Sequence, residues 1–202
     1  MRYGMVLDLI GCVGCNACAL ACRQENATPA DVLFTRVITL ETGEYPNTRL
    51  EFQPLLCMHC QDAPCVAVCP TGASYQREDG IVAVDQDKCV GCRYCMAACP
   101  YHARTFHYGK LAQYFPDQGE TPYEQARGDE HQRGVVAKCD FCFDRLENGD
   151  QPACVETCPG QVRIFGDLDD PNSEVAKLVA SGKATPLHPE LGTKPSVFYM
   201  RA

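Results

Sequence analysis

A chain of 202 residues has room for one or two domains, and its formal net charge of −8 argues against a nucleic-acid partner, which would want a basic face. Sixteen cysteines, no tryptophan, 14 prolines and 16 glycines point away from an ordinary apolar core, towards short elements, many turns and sulfur chemistry. No stretch approaches the ~20 apolar residues of a membrane span, and Met1–Leu9 has neither the apolar run nor the paired arginines of an export signal, so a soluble chain is expected, attached to a membrane only through a partner.

In chain order, Arg2–Asp8 reads as a strand and Gly14–Glu25 as a helix carrying Cys15, Cys18 and Cys22. Leu33–Glu41 and Arg49–Gln53 are β-like and flank a turn at Gly43–Asn47. A short helix over Ala63–Cys69 precedes a hairpin, Ser74–Arg77 with Ile81–Asp85, around the turn pair Asp79-Gly80. A helix at Cys92–Cys99 and a strand at Arg104–His107 follow. Residues 108–134 are polar, broken by Pro116, Pro122 and several glycines, and read as an insertion loop ordered by contact with something else. Deleting Glu120–Glu130 should on this reading weaken partner binding and leave iron intact. Beyond it come a strand at Val135–Lys138, a helix at Phe143–Glu147 stopped by Asn148-Gly149, a helical turn at Ala153–Cys158 and a strand at Val162–Gly166. Pro171–Ala180 is an amphipathic helix ended by Gly182, and Ser196–Met200 is the last strand.

The cysteines fall into four groups of four. Cys12, Cys15, Cys18 and Cys22 are spaced C-x2-C-x2-C-x3-C, and Cys89, Cys92, Cys95 and Cys99 repeat that spacing with Pro100 after it. Cys57, Cys60, Cys65 and Cys69 are looser, and Cys139, Cys142, Cys154 and Cys158 looser still; Pro70 and Pro159 follow them. The spacing brings soft thiolates to one small loop, as a cubane iron–sulfur cluster requires, and in two-cluster ferredoxins the fourth cysteine crosses to the other cluster. Gly14 and Gly91 sit where the backbone must approach the metal. The crossover rule assigns Cys12, Cys15, Cys18 and Cys158 to cluster 1, and Cys139, Cys142, Cys154 and Cys22 to cluster 2. It assigns Cys57, Cys60, Cys65 and Cys99 to cluster 3, and Cys89, Cys92, Cys95 and Cys69 to cluster 4. With its thiolates each [4Fe–4S] centre carries about −2, taking the holoprotein to about −16.

The expected fold is α+β: two ferredoxin-like modules, one nested in the other, with β-hairpins and short helices. Residues 1–48 and 135–170 form the outer module, 49–107 the inner one, 108–134 the insertion, and 171–202 a C-terminal helix and tail. Eight disulfides fit poorly, because C-x2-C-x2-C loops hold neighbouring thiols together and no export signal is visible. Structural zinc fits poorly too, since its ligands come as separated pairs. His59 and Tyr94, inside ligand groups, can hydrogen-bond near sulfur, though packing or solvent exposure is the commoner role. Lys88 and Lys138 each precede a first ligand, where a cation stabilises a reduced cluster; an ordinary solvated lysine is the alternative. His102, His107, His131 and His188 have no metal-ligand spacing among themselves, and no nucleophile–base pair or phosphate-binding loop is visible, so no catalytic residue is expected.

These groups, with Cys65-Val66-Ala67-Val68-Cys69-Pro70-Thr71-Gly72-Ala73, Ala153-Cys154-Val155-Glu156-Thr157-Cys158-Pro159 and Gly166-Asp167-Leu168-Asp169-Asp170-Pro171, resemble the four-cluster iron–sulfur subunit of the molybdopterin oxidoreductases (the dimethyl sulfoxide reductase superfamily). The iron–sulfur subunits of polysulfide/thiosulfate, arsenate and dimethyl sulfoxide reductases look most similar, and the insertion leans towards the arsenate-reductase type. The resemblance implies an electron relay of anaerobic respiration. Its partners would be a catalytic subunit carrying molybdenum or tungsten on a bis-pterin cofactor, with cluster 1 towards it, and a membrane-anchor subunit that reacts with quinone. It implies a place on the periplasmic face of the cytoplasmic membrane, reached with the catalytic subunit, or else in the cytoplasm. A stand-alone polyferredoxin is the alternative of a different class.

Overall fold

The computed structural model describes residues 1–108 and 113–201. At its centre is a four-stranded sheet of β1 (Tyr3–Asp8), β8 (Arg163–Asp167), β9 (Ala184–Pro186) and β10 (Val197–Met200), in the order β8-β1-β10-β9. β1 runs parallel to β10 and antiparallel to β8. The alternation of strand side chains divides this sheet cleanly. Met5, Leu7, Val197 and Tyr199 turn to one face, in a core that contains many of the cysteines. Val6 and Phe198 turn to the other, where they pack with Val175 of α7 (Glu174–Ala180) and Ala184. Residues 184–200, expected in a tail, thus place β10 in the middle of the sheet, against the first strand.

Around the sulfur-bearing face lie short helices: α1 (Ala17–Glu25), α2 (Pro64–Ala67), α3 (Tyr94–Ala98), α5 (Phe143–Glu147) and α6 (Ala153–Glu156). α1 starts three residues later than the spacing suggested, because Gly14 and Asn16 both adopt left-handed backbone (φ 68° and 60°) and carry the chain round a loop first. α1 packs on α6, and α2 on α3. The hairpin β2 (Arg36–Thr42) with β3 (Arg49–Leu55) exposes most of β2 and the tip of β3, while β4 (Ser74–Gln76) pairs with β5 (Val82–Val84) around the Asp79-Gly80 turn. A two-residue ladder joins β6 (Thr105–Phe106) to β7 (Val136–Ala137).

The segment between β6 and β7 corrects the expected insertion loop. It carries a helix, α4 (Pro122–Arg127), followed by a 3-10 turn at Gly128–Glu130; residues 109–112 of the expected loop lie outside the described residues. Thr121 accepts from the Glu124 N–H and Glu124 reaches back to the Thr121 N–H, a capping box with Pro122 at the first helical position. The helix is tied to the end of α1. Arg127 donates to the carbonyls of Gln24 (3.0 Å) and Glu25 (2.9 Å), His131 Nε2 donates to the Asn26 carbonyl (2.7 Å), and the Tyr123 hydroxyl donates to Gln24. These donors satisfy carbonyls that the end of a helix otherwise leaves to water. Tyr114 adds a hydroxyl bond to the Thr28 carbonyl at 2.7 Å. The expectation that Glu120–Glu130 can be deleted without loss of iron is therefore revised. Deletion should loosen the last turn of α1 and release iron from the site containing Cys22. Iron analysis finding an undiminished count would return the segment to a purely partner-facing role. Among the described residues no helix is long and apolar enough to cross a membrane.

Four cysteine tetrads as the candidate metal centre

Each ligand group wraps its loop with the same device. The residue just before the second cysteine is left-handed: Gly14 (φ 68°), His59 (φ 43°), Gly91 (φ 68°) and Phe141 (φ 60°). Glycine is needed at two of them. A Cβ at Gly91 would stand 2.2 Å from the Gly134 carbonyl oxygen, and one at Gly14 would stand 2.3 Å from the Phe52 ring.

None of the sixteen cysteines is joined in a disulfide. One cavity is lined by Cys12, Cys15, Cys18 and Cys158, together with Arg163. Another is lined by Cys69, Cys89, Cys92 and Cys95, with Ser74 at its wall. Cys22 reaches the fourth group: burial pushes its thiol well up, and the neighbouring Cys154 and Cys142 sulfurs push it further. Cys139 is raised by burial and then by Cys22. Cys60 is pushed up to about 12 by burial, with Cys57, Cys65 and Cys99 beside it and a hydrogen bond from Thr193 pulling the other way. Numbered as clusters 1 to 4 above, tetrads 1 and 4 each line one cavity, and neighbouring sulfurs link Cys22 with Cys139, Cys142 and Cys154 in tetrad 2 and Cys60 with Cys57, Cys65 and Cys99 in tetrad 3.

This donor chemistry fits the cluster. Among the described residues no three His, Cys, Asp or Glu side chains converge as ligands of one ion do. Thiols so buried keep their protons until iron displaces them, and the bound metal itself favours thiolate. Amide donors are already aimed at sulfur: the Ser74 N–H donates to Cys69 Sγ at 3.3 Å, and the Asn26 side-chain amide donates to Cys22 Sγ at 3.5 Å. Such donors orient a ligand and tune its metal.

The tetrads adjoin one another in order: Cys18 of tetrad 1 neighbours Cys154 of tetrad 2, and Arg104 has Cys65 of tetrad 3 and Cys95 of tetrad 4 beside it. Cys57 of tetrad 3 is near enough to raise the thiol of Cys139 in tetrad 2. At the same joint His59 stacks on Phe141, ring centroids 3.7 Å apart and planes 23° from parallel. The Val82 N–H donates to His59 Nδ1 at 3.1 Å, which leaves the His59 proton on Nε2. Burial and then the positive charges of Lys138 and Arg104 depress the His59 pKa well below its ordinary value, so the ring is neutral. Exposure follows position in the row: Cys15 in tetrad 1 and Cys92 in tetrad 4 are exposed, whereas all four cysteines of tetrad 3 are buried. Exposed apolar side chains accompany both ends, Ile10, Val13 and Leu20 along group one, and Val90 and Tyr94 along group three.

Of the weaker candidates, Tyr94 is exposed and His59 is fully buried. Lys88 is solvated and paired with Asp85 at 2.8 Å, while Lys138, at the same place in its own group, is buried. His107 and His131, unrelated by spacing, lie with ring centroids 5.1 Å apart. Sequence reasoning missed two residues, Arg104 and Arg163, both buried. The signal for them was present: each stands five residues after the last cysteine of its group, in Cys99-Pro100-Tyr101-His102-Ala103-Arg104 and Cys158-Pro159-Gly160-Gln161-Val162-Arg163.

Tetrads of this chemistry on short helices and hairpins define an iron–sulfur protein of the 4Fe–4S dicluster class. Family models described as "4Fe-4S dicluster domain" match residues 48–113 and 106–168 in one case and 11–73 in another. A selenate reductase subunit from Mesobacillus selenatarsenatis is 46% identical over 99% of this chain and 72% of its own length. The iron–sulfur subunit of arsenate respiratory reductase from a Shewanella species is 40% identical over 100% of this chain and 97% of its own length. A sulfite dehydrogenase subunit from Allochromatium vinosum is 39% identical over 98% of this chain and 82% of its own length. The chain belongs to this family, the electron-transferring iron–sulfur subunits of molybdopterin oxidoreductases.

Proposed function

We propose that the chain holds four [4Fe–4S] clusters, on the four tetrads named above, and relays electrons singly along the row between a molybdopterin catalytic subunit and a second carrier. The observation that carries this reading is the succession of adjoining tetrads, buried at tetrad 3 and with an exposed cysteine at tetrads 1 and 4. When bound, each cluster supplies a one-electron couple. The chain's own side chains hold the thiolates in place, exclude water from the middle of the row and bring the ends out to partners. The nested arrangement is supported by the packing of α1 on α6 and by the strand pairing of β1 with β8, which draw residues before Glu25 and after Ala153 together.

Tetrad 1, with Cys158, is proposed to face the catalytic subunit, and tetrad 4 to face a membrane-anchor subunit that reacts with quinone. The complex would work at the periplasmic face of the cytoplasmic membrane, the chain being carried there with its catalytic partner. The names of the relatives include reductases and a dehydrogenase, so the same relay is proposed to run in whichever direction the catalytic partner sets.

Purification from native membranes tests both parts. The expected result is co-elution with a molybdenum- or tungsten-containing chain and about sixteen iron and sixteen acid-labile sulfide per copy of this one. A free monomer with that iron content would favour a stand-alone carrier. Zinc without labile sulfide would remove the cluster reading altogether.

A further inference from the structure

Resting on that four-cluster reading, we infer that Arg163 and Arg104 are fixed buried cations, one set between the two tetrads of each ligand pair, and that with Lys138 at the joint they raise the reduction potentials of the clusters beside them. The row then alternates, tetrad and cation, from one end to the other.

Arg163 lines the cavity of Cys12, Cys15, Cys18 and Cys158, and its Nη1 donates to Cys154 Sγ of tetrad 2 at 3.5 Å. Its Nη2 is anchored on Thr35 Oγ1 at 3.1 Å. Arg104 holds the matching position in the other pair. Its Nη1 donates to Ser74 Oγ at 2.8 Å, and Ser74 is the residue whose N–H donates to Cys69 Sγ of tetrad 4. Its Nε and Nη2 are buried without a hydrogen-bond partner among the described residues. A guanidinium held dry with two donors unmet is costly unless an anion faces it. The sulfurs beside it are Cys65 and Cys57 of tetrad 3 and Cys95 of tetrad 4, which carry negative charge once a cluster is bound. Arg163 has the matching neighbours, Cys154 of tetrad 2 and Cys18 of tetrad 1. Lys138 donates to the carbonyls of Val82 and Cys139, the latter at 2.6 Å, which fixes its ammonium beside tetrad 2, with Cys65 of tetrad 3 also among its neighbours. Neither Arg104 nor Arg163 makes an ion pair with Asp or Glu among the described residues.

The step served is a one-electron reduction with no bond made or broken: a cluster and its thiolates pass from about −2 to about −3. A cation in the dry interior stabilises the more negative state far more than it would in water. Because each arginine lies beside two tetrads, removing one should move two centres together, which an ordinary packing role would not do.

The test is an EPR-monitored redox titration of the holoprotein in its native complex, with iron counted on the same samples. Arg104→Met should lower the midpoints of the centres at tetrads 3 and 4 by at least tenfold in the one-electron equilibrium, which is 59 mV, and Arg163→Met should do so for tetrads 1 and 2. Arg104→Lys and Arg163→Lys, which keep the charge, should largely restore them. Full iron with unmoved midpoints in the Met variants overturns the inference. So do Lys variants that hold iron yet titrate like the Met ones, or variants at either position that cannot load iron whichever residue is used. A wild-type count other than four cubanes would instead overturn the underlying reading.

Discussion

Cys22→Ser removes the centre held by Cys139, Cys142 and Cys154 and spares the one held by Cys12, Cys15 and Cys18. The chain around Cys22 says otherwise at first sight, since that residue closes the first C-x2-C-x2-C-x3-C run. Its position on α1 points the other way. One turn beyond Cys18, it faces α6, and its sulfur shares the Asn26 amide with Cys142, at 3.5 and 4.0 Å. The cavity of the first three cysteines is completed from the far end of the chain by Cys158. A serine oxygen is a harder and poorer iron ligand than thiolate. The expected loss is about four iron atoms and one EPR-active centre. Site-assigned spectra that lose only the group-one centre would sink the crossover.

Truncation after Pro195 has the larger structural consequence: no cluster-loaded protein is expected to accumulate. β10 lies between β1 and β9, so its removal strips both of a ladder partner. Val197 and Tyr199 are buried against the sulfur face and Phe198 against α7, three side chains worth about 1.5–3 kcal/mol each. The Tyr199 hydroxyl donates to the Pro54 carbonyl at 3.0 Å, and Ser196 links the Met58 carbonyl to the Met5 N–H. Together these approach the whole stability of an ordinary domain, about 5–15 kcal/mol. Soluble protein with undiminished iron from the truncated chain would show that the sheet is dispensable to the sites.

The local part of this architecture was legible. Cysteine spacing placed each ligand loop, Asp79-Gly80 marked the β4–β5 hairpin, and strands were read at Arg2–Asp8 and Ser196–Met200. What sequence could not carry was burial decided by distant segments. Lys88 and Lys138 occupy the same position in their groups, yet one is solvated and the other is enclosed by Val82 and the Cys139 loop. The order of the central sheet depends on pairing residues nearly two hundred positions apart, for which no local signal exists. α4 was legible and overlooked: Thr121-Pro122-Tyr123-Glu124 is a capping box, hidden by the density of proline and glycine around it. The two buried arginines were legible only as a repeated offset from cysteine, and their meaning depends on which sulfurs the fold brings around them.

The parallel pairing of β1 with β10 has a consequence for how the protein is made. Synthesis runs from the amino end, so β1 leaves the ribosome long before the strand that will lie beside it exists, and α1 emerges with a thiol whose companions are still more than a hundred codons away. Contacts of such separation close late and slowly. Until they close, the early thiols stand open on a chain whose apolar strands are also uncovered, the condition in which oxidation and aggregation compete with folding. On the proposed assignment, tetrads 1 and 2 cannot be completed before Cys158 has been made, while tetrads 3 and 4, whose ligands all lie between Cys57 and Cys99, can be completed more than fifty residues earlier.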